Sequence, residues 1–279
     1  MSDWPVGLST GCFWQTSIFD CLEEIRNSGF HRIEICSWPQ HLDYHDTALV
    51  RRASRLIDDL GLEAYSFHGP FSDRIDITSP EPSARDFALK ELMQAAEAAA
   101  LLRVRYFVVH PGPESSSLAE HERFWRLENA VHLLNTTYTH CRRLGIGLVL
   151  ENMLPHLFAG GTRDLLWILG ALNTTEAGVC LDTGHAYLGE DLRAVVHKLS
   201  GHLWMVHASD NNGQRDDHLP PGEGKINWAA LLDQLWELHF SGAIMIEIAG
   251  LADHKTTLDA ARRGRRHLRD LAHRLRLPL

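Results

Sequence analysis

The stretch RYFVVHPG, residues 105–112, is a short apolar run that ends near a histidine, and it shows the pattern that decides the fold. An amphipathic stretch precedes it at 84–102, another follows it at 123–145, and the next apolar run, GLVLEN, begins at residue 147. Short β-rich runs that alternate with longer helical stretches predict parallel strands joined by crossover helices.

The same alternation continues toward both ends of the chain. Seven further runs predict strands: VGLST at 6–10, RIEICSW at 32–38, EAYSFHG at 63–69, GLVLEN at 147–152, AGVCLDTGH at 177–185, LWMVHASD at 203–210 and AIMIEIAG at 243–250. Four of the helices between them are expected to end at a left-handed glycine: Gly29, Gly61, Gly145 and Gly242. Eight such units, with no glycine-rich phosphate loop after the first strand, favour a closed barrel over an open doubly wound sheet. The sequence therefore predicts an α/β protein with a single (β/α)8 TIM barrel over residues 1–279.

Composition and charge limit the classes of protein to be considered. The formal net charge of −9 is unfavourable for a general nucleic-acid binder, although it leaves a nucleic-acid partner open. Five cysteines without a CxxC pair argue against a disulfide framework and favour a reducing, cytoplasmic location. We see no signal-peptide pattern and no apolar stretch of the roughly 20 residues that a membrane span needs. The basic segment 255–276 is expected to be solvated or to contact another copy in a homo-oligomer.

Six of the predicted strands carry a metal-ligand type of side chain at or near their C-terminal end. These side chains are His68, His110, Glu151, Asp182, His207 and Glu247, and two local pairs add His185, Asp216 and His218. Because the C-terminal ends of all barrel strands open onto one face, we expect the nine residues to converge in one pocket. Burying so many charges without a cation would cost several kcal/mol per ion. The sequence therefore predicts a divalent-metal centre.

Other side chains near the predicted strand ends are candidates for binding a substrate. The aromatic rings of Trp14, Trp38 and Phe71 could stack on a sugar and exclude water. In the loop after the seventh strand, Arg215 and Lys225 could bind a phosphate or a hydroxyl group. The amide of Asn152 is a further candidate for a hydroxyl group.

Five motifs make the sequence resemble the xylose isomerase-like barrel superfamily. They are HGPF at 68–71, VVHPG at 108–112, LEN at 150–152, CLDTGHA at 180–186 and DDHLPPGEGKINW at 216–228. This superfamily includes sugar isomerases, ketose 3-epimerases, inosose-processing enzymes and abasic-site endonucleases of the endonuclease IV type. The resemblance covers nearly the whole chain.

The resemblance implies one to three bound metal ions. Isomerase and epimerase members bind one ion through positions that correspond here to Glu151, Asp182, His207 and Glu247. Endonuclease members bind three zinc ions, which would add a site at His68, His110 and Glu151 and another at His185, Asp216 and His218. Mixed nitrogen and oxygen ligands suit Zn²⁺, Mn²⁺ or Fe²⁺ better than Mg²⁺ or Ca²⁺.

Two activities from different classes follow from this resemblance. The first is a metal-dependent isomerase or epimerase that acts on a sugar, sugar phosphate or cyclitol through an enediolate, with Glu151 and Glu247 moving the proton and His185 holding a hydroxyl. The alternative is a trinuclear-zinc phosphodiester hydrolase of the endonuclease IV type. The loops HGPFSDRIDITSP and ENMLPHLFAGGT resemble those of sugar phosphate isomerase/epimerase members, so a small carbohydrate is the expected substrate. A binding protein on a catalytically inactive barrel is a third hypothesis, which the intact ligand set disfavours.

Overall fold

Eight parallel strands form a closed barrel in the computed structural model, which describes residues 4–115 and 120–277. The strands are β1 (Val6–Ser9), β2 (Arg32–Cys36), β3 (Glu63–His68), β4 (Tyr106–Val109), β5 (Gly147–Glu151), β6 (Gly178–Asp182), β7 (Leu203–Ala208) and β8 (Ala243–Ile246). Each strand pairs with the next one along the chain, and β8 closes the barrel against β1. The predicted single TIM barrel is confirmed.

Helices surround the barrel and connect its strands. They are α1 (Ile18–Asn27), α2 (Pro39–Leu42), α3 (Thr47–Asp59), α4 (Pro82–Leu101), α5 (Arg123–Leu144), α6 (Thr162–Ala171), α7 (Thr183–Gly189), α8 (Leu192–Leu199), α9 (Trp228–Glu237) and α10 (His254–Leu275). The predicted strand at 177–185 is too long, because β6 ends at Asp182. The Asp182 carboxylate accepts a hydrogen bond from the backbone N–H of His185 at 2.6 Å and so caps α7. None of the helices in the described ranges is long and apolar enough to cross a membrane.

Three of the four predicted left-handed glycines are present. Gly29, Gly61 and Gly145 have φ angles of +81°, +63° and +77°. The prediction for Gly242 is wrong, because His239 takes the left-handed conformation after α9 with a φ of +55°. Gly242 is instead required for space, since a Cβ there would lie 2.0 Å from the carbonyl oxygen of Trp204.

The interior of the barrel has an apolar layer below a polar layer. The apolar layer is a cluster of buried side chains: Tyr65, Val108, Val149, Cys180, Met205, Ala243 and Met245. On β5, Val149 is followed two residues later by Glu151, and on β7, Met205 is followed two residues later by His207. Alternate residues of a strand point to the same side. The polar side chains at the strand ends therefore stand on an apolar floor that separates them from the other end of the barrel.

Candidate metal centre

The nine predicted metal ligands come together in three groups at the C-terminal end of the barrel. The groups are His68–His110–Glu151, Glu151–Asp182–His207–Glu247 and His185–Asp216–His218. Within each group, one potential ligand atom from every residue lies within 4.8 Å of the others. Residues that are up to 179 positions apart in the sequence therefore share one site, as the strand-end pattern predicted.

Glu151 stands between the first two groups. Its Oε2 atom lies 3.0 Å from Nε2 of His68 and 3.4 Å from Nε2 of His110. Its Oε1 atom lies 3.1 Å from Nδ1 of His207. One carboxylate thus offers a different oxygen to each group, which is the arrangement that a bridging ligand needs.

Four of the five histidines hold Nδ1 against an acceptor that is not a candidate ligand atom and turn Nε2 toward the carboxylates. The outer acceptors are Gly69 O for His68 (3.0 Å), Asn152 O for His185 (3.0 Å), Glu247 O for His218 (3.4 Å) and Glu114 Oε1 for His110 (2.6 Å). A ring nitrogen that contacts a carbonyl oxygen carries a proton, so the lone pair of the neutral ring, the form that binds a metal ion, is on the opposite nitrogen. His207 is reversed, with Nδ1 facing the groups and Nε2 contacting Glu34 at 3.0 Å. Outer acceptors of this kind are typical of metal-binding histidines.

Two carboxylate oxygens in these groups are buried and lack a donor. Among the described residues, Oδ2 of Asp182 and Oδ1 of Asp216 have no hydrogen-bond partner. A buried carboxylate oxygen without a partner is costly, and a cation would satisfy it. The unpartnered oxygens and the inward lone pairs of the imidazole rings fit divalent ions that accept both nitrogen and oxygen ligands.

The acidic side chains of the cluster respond to burial and to the neighbouring imidazoles in different ways. Burial by itself raises the pKa of Glu247, but His207 outweighs it and lowers this pKa to about 2. Burial likewise raises the pKa of Glu151, but His207 and the hydrogen bond from His110 bring it well below its ordinary value. For Asp182, burial prevails and raises the pKa to about 6. Both glutamates are therefore ionised at neutral pH.

The pKa values of the imidazole rings are shifted upward, opposite to those of the two glutamates. Burial by itself lowers the pKa of His110, but hydrogen bonds to Glu114 and Glu151 raise it to about 9. Burial likewise lowers the pKa of His218, but its hydrogen bond to Asp216 raises it to about 9. Protonated rings balance the carboxylates when no cation is bound. A metal ion must displace these protons, so metal affinity is expected to fall as the pH is lowered.

A cavity of about 460 Å³ opens above the cluster, within the size range of small-molecule sites. Trp14, Trp38 and Phe71, three of the predicted substrate-binding residues, line it. The ring centroids of Trp14 and Trp38 lie 5.3 Å apart, and those of Trp38 and Phe71 lie 5.6 Å apart. The arc continues to the candidate metal ligands, because the Phe71 ring lies 4.8 Å from that of His110. The cavity therefore has an aromatic wall on one side of the candidate ligands.

The other three predicted substrate-binding residues lie off the cavity wall. Asn152 is buried, and its side-chain amide bonds the backbone of Asp182 in both directions, at 2.9 and 3.0 Å. This amide aligns β5 with β6, and both of its polar atoms are engaged there, away from the cavity. Arg215 is exposed and pairs with Asp217 at 2.5 Å, and Lys225 is exposed. The lining residues within the described ranges include neither lysine nor arginine.

Sequence reasoning missed two carboxylates that support the histidines. Glu34 is fully buried in β2, and Glu114 follows His110 by four residues. Both carried a signal: Glu34 is a lone charge between two isoleucines of a predicted strand, and Glu114 falls in the motif HPGPE. Asp210 was also missed, and it fixes the loop of the third group. Its carboxylate accepts hydrogen bonds from Gly222 N, Ile226 N and Trp228 Nε1 at 2.8–3.1 Å.

Comparisons with known proteins agree with this architecture. The family model of the xylose isomerase-like TIM barrel matches residues 22–271. The Methanocaldococcus jannaschii protein MJ1311 is 31% identical over 258 residues, which cover 90% of this chain and 86% of the relative. A probable endonuclease 4 from Aster yellows witches'-broom phytoplasma is 25% identical over 200 residues, 66% of each chain. The crystal structure of a D-tagatose 3-epimerase-like protein superposes with a TM-score of 0.82 and 28% identity, covering 95% of this chain and 98% of that one. This chain belongs to the xylose isomerase-like TIM barrel family.

Proposed function

We propose that the protein is a divalent-metal-dependent isomerase or epimerase that acts on a sugar or cyclitol, free or phosphorylated. One observation carries the proposal: two ionised carboxylates, Glu151 and Glu247, flank the shared ligand group beneath a cavity with an aromatic wall. Both approach Nδ1 of His207, at 3.1 and 3.0 Å. The likeness to the D-tagatose 3-epimerase-like protein supports the same kind of chemistry.

The residues of this chain would divide the chemistry between them. A divalent ion held by Glu151, Asp182, His207 and Glu247 would act as a Lewis acid that makes the C–H bond next to a substrate carbonyl more acidic. Glu151 and Glu247 are positioned to take this proton and to return one to the substrate carbon as base and acid. The aromatic wall would hold the apolar face of the sugar and exclude water. Zn²⁺ or Mn²⁺ suits the mixed donor set best, and Fe²⁺ also fits it.

A phosphodiester hydrolase is the second candidate, and the three ligand groups favour it. Glu151 faces the first two groups with different oxygens, and three ions would suit activation of water beside a phosphate. The similarity to a probable endonuclease 4 supports this alternative. The cavity wall opposes it, because its described residues offer neither lysine nor arginine to a phosphate backbone.

Proton exchange from solvent separates the two candidates. The purified protein is loaded with Zn²⁺ or Mn²⁺ and incubated in D₂O with a panel of ketoses, cyclitol ketones and their phosphate esters, and deuterium on carbon is followed by NMR. We expect incorporation next to the carbonyl that is abolished by a chelator. Metal-dependent cleavage of a duplex with an abasic site, without exchange in any sugar, would replace the proposal with the hydrolase. Metal analysis adds a second readout, since one bound equivalent suffices for the isomerase and three are expected for the hydrolase.

A further inference from the structure

Glu34 is a buried charge in a position where a barrel strand is otherwise apolar. It lies in the middle of β2 between Ile33 and Ile35, and its exposed fraction is 0%. The β2–β3 pairing shifts register at this point, so that Glu34 lies opposite Ser66 while Ile33 lies opposite Ala64. The Glu34 side chain lies against Ser66 of β3 and reaches His207 of the candidate metal centre.

One oxygen of Glu34 makes both of its hydrogen bonds. Oε2 accepts the hydroxyl of Ser66 at 2.8 Å and lies 3.0 Å from Nε2 of His207. Oε1 is buried and has no partner among the described residues. A carboxylate accepts and does not donate, so the proton in the contact with His207 belongs to Nε2. When His207 gives up its other proton to bind a metal ion, the lone pair is therefore on Nδ1, which faces Glu151 and Glu247.

This contact explains why His207 differs from the other four histidines of the centre. They use Nδ1 for the outer contact and turn Nε2 inward, whereas His207 does the opposite. Glu151 and Glu247 contact Nδ1, whereas the hydrogen bonds of the described residues give Nε2 one acceptor, the Glu34 carboxylate. Glu34 is thus the group that can fix which nitrogen of His207 carries the proton.

We propose that Glu34 is a positioning residue for one metal ion, the ion of the group Glu151–Asp182–His207–Glu247. It fixes the ring orientation and the tautomer of His207 and makes Nδ1 a stronger ligand. The inference rests on the proposed metal function. Its effect is specific to this ion, because the histidines of the other two groups have outer acceptors of their own. Glu114, the outer acceptor of His110, has the corresponding role for the ion of the group His68–His110–Glu151.

Stepwise metal titration of the full chain tests the proposal without depending on turnover. Zn²⁺ is titrated into the metal-free protein against a competing chelator, and Co²⁺ is titrated in parallel to record its visible absorption. Glu34→Gln keeps the shape and removes the charge, and we expect it to weaken one ion by about 10- to 100-fold and to change the Co²⁺ spectrum of that ion. The other ions should bind as they do in the unchanged protein.

Glu114→Gln is the matched control, because it removes the same charge from behind a different histidine. It should weaken a different ion and leave the ion of His207 unchanged. Ser66→Ala removes the second partner of Glu34 but not the contact with His207, so it should change affinity by less than about threefold. Should Glu34→Gln fail to fold, Glu34→Asp keeps the charge but shortens its reach, and it should weaken the same ion.

The other possible results of these experiments would overturn the role of Glu34, the proposed function, or both. If Glu34→Gln binds every ion normally, or weakens all of them equally together with a lower Tm, Glu34 serves only the fold and the proposal is wrong. If the unchanged protein binds ions but exchanges no sugar proton, the proposed function fails, while the titration still decides the role of Glu34. If the unchanged protein binds no ion, both proposals fail.

Discussion

Two fully buried histidines lie in regions of opposite character. His207 is surrounded by Glu34, Glu151 and Glu247, each of which has a carboxylate oxygen 3.0–3.1 Å from a ring nitrogen. Burial by itself lowers the pKa of His207, but Cys180 and these carboxylates hold it well above its ordinary value. The ring therefore carries a positive charge until a metal ion displaces its second proton.

His41 is equally buried but has only neutral partners. Its Nδ1 lies 2.8 Å from the carbonyl oxygen of Thr16, and its Nε2 lies 2.9 Å from the hydroxyl of Thr10. That hydroxyl accepts the backbone N–H of Cys36, so its own proton is available for Nε2. Burial dominates here and lowers the pKa of His41 to about 4. The difference teaches that the charge of the partners, and not burial, decides whether a buried histidine is protonated or neutral.

Removing one carboxylate from the charged region should have the largest effect. Glu247→Gln keeps the side-chain shape but removes a ligand charge and one of the two proposed proton carriers. We expect turnover to fall by about 10³-fold and one equivalent of metal to be lost, measured by solvent exchange and metal analysis. Glu237→Gln on the exposed face of α9 is the matched control. Normal metal content and turnover in Glu247→Gln would disprove the ligand assignment.

His41, the buried histidine with neutral partners, should make the protein less stable in acid. The pKa of His41 is about 6.5 in the unfolded chain and about 4 in the fold, so the unfolded chain binds more protons between these values. Its contribution is complete above about pH 6.5 and is lost as the pH falls toward 4, by roughly 3 kcal/mol.

Denaturant unfolding of the metal-free protein in chelator measures this contribution. Substituting His41→Gln should remove it, so the stability difference between the two proteins should shrink from pH 6.5 to 4. Because the metal-centre histidines are present in both proteins, their protonation cancels in the difference. A difference that stays constant over this range would show that His41 is not held neutral.

The third ligand group should matter less to an isomerase than the shared group does. His218→Ala removes a ligand only from the group with His185 and Asp216. We expect a rise in KM of about tenfold or less, the value of one neutral hydrogen bond, with kcat nearly unchanged. A loss of several orders of magnitude in kcat would favour a reaction that needs all three ions.

The exposed cations of the loop after β7 should have the smallest effect. Arg215→Ala and Lys225→Ala are expected to change the free energy of unfolding by less than about 0.5 kcal/mol, measured with denaturant. KM for a phosphorylated substrate should also be unchanged, because neither side chain lines the cavity. A tenfold rise in KM for the phosphate ester alone would show that the loop closes over the substrate.

The sequence by itself determined the barrel and the set of candidate ligands. Short apolar runs, each followed by a helical stretch, permit few arrangements other than a closed parallel sheet. A polar residue two positions after a buried one, as in Val149 and Glu151, must point to the same interior. Local spacing was enough for these predictions because they depend only on the geometry of a strand and on the common direction of all eight strands.

Only the tertiary structure decided how the ligands are supported and which neighbours reach the cavity. The register shift at Glu34 depends on how β2 meets β3, and the reversed orientation of His207 depends on a contact across 173 residues. The sequence suggested that Asn152 and Arg215 could bind a substrate, but Asn152 bonds the backbone of Asp182, and Arg215 pairs with Asp217 outside the cavity wall. Nothing in the sequence indicated the role of His41, because a buried neutral histidine and a metal-binding histidine are the same residue type. Hydrogen-bond partners and burial set the charge of each group, and both are properties of the packed chain.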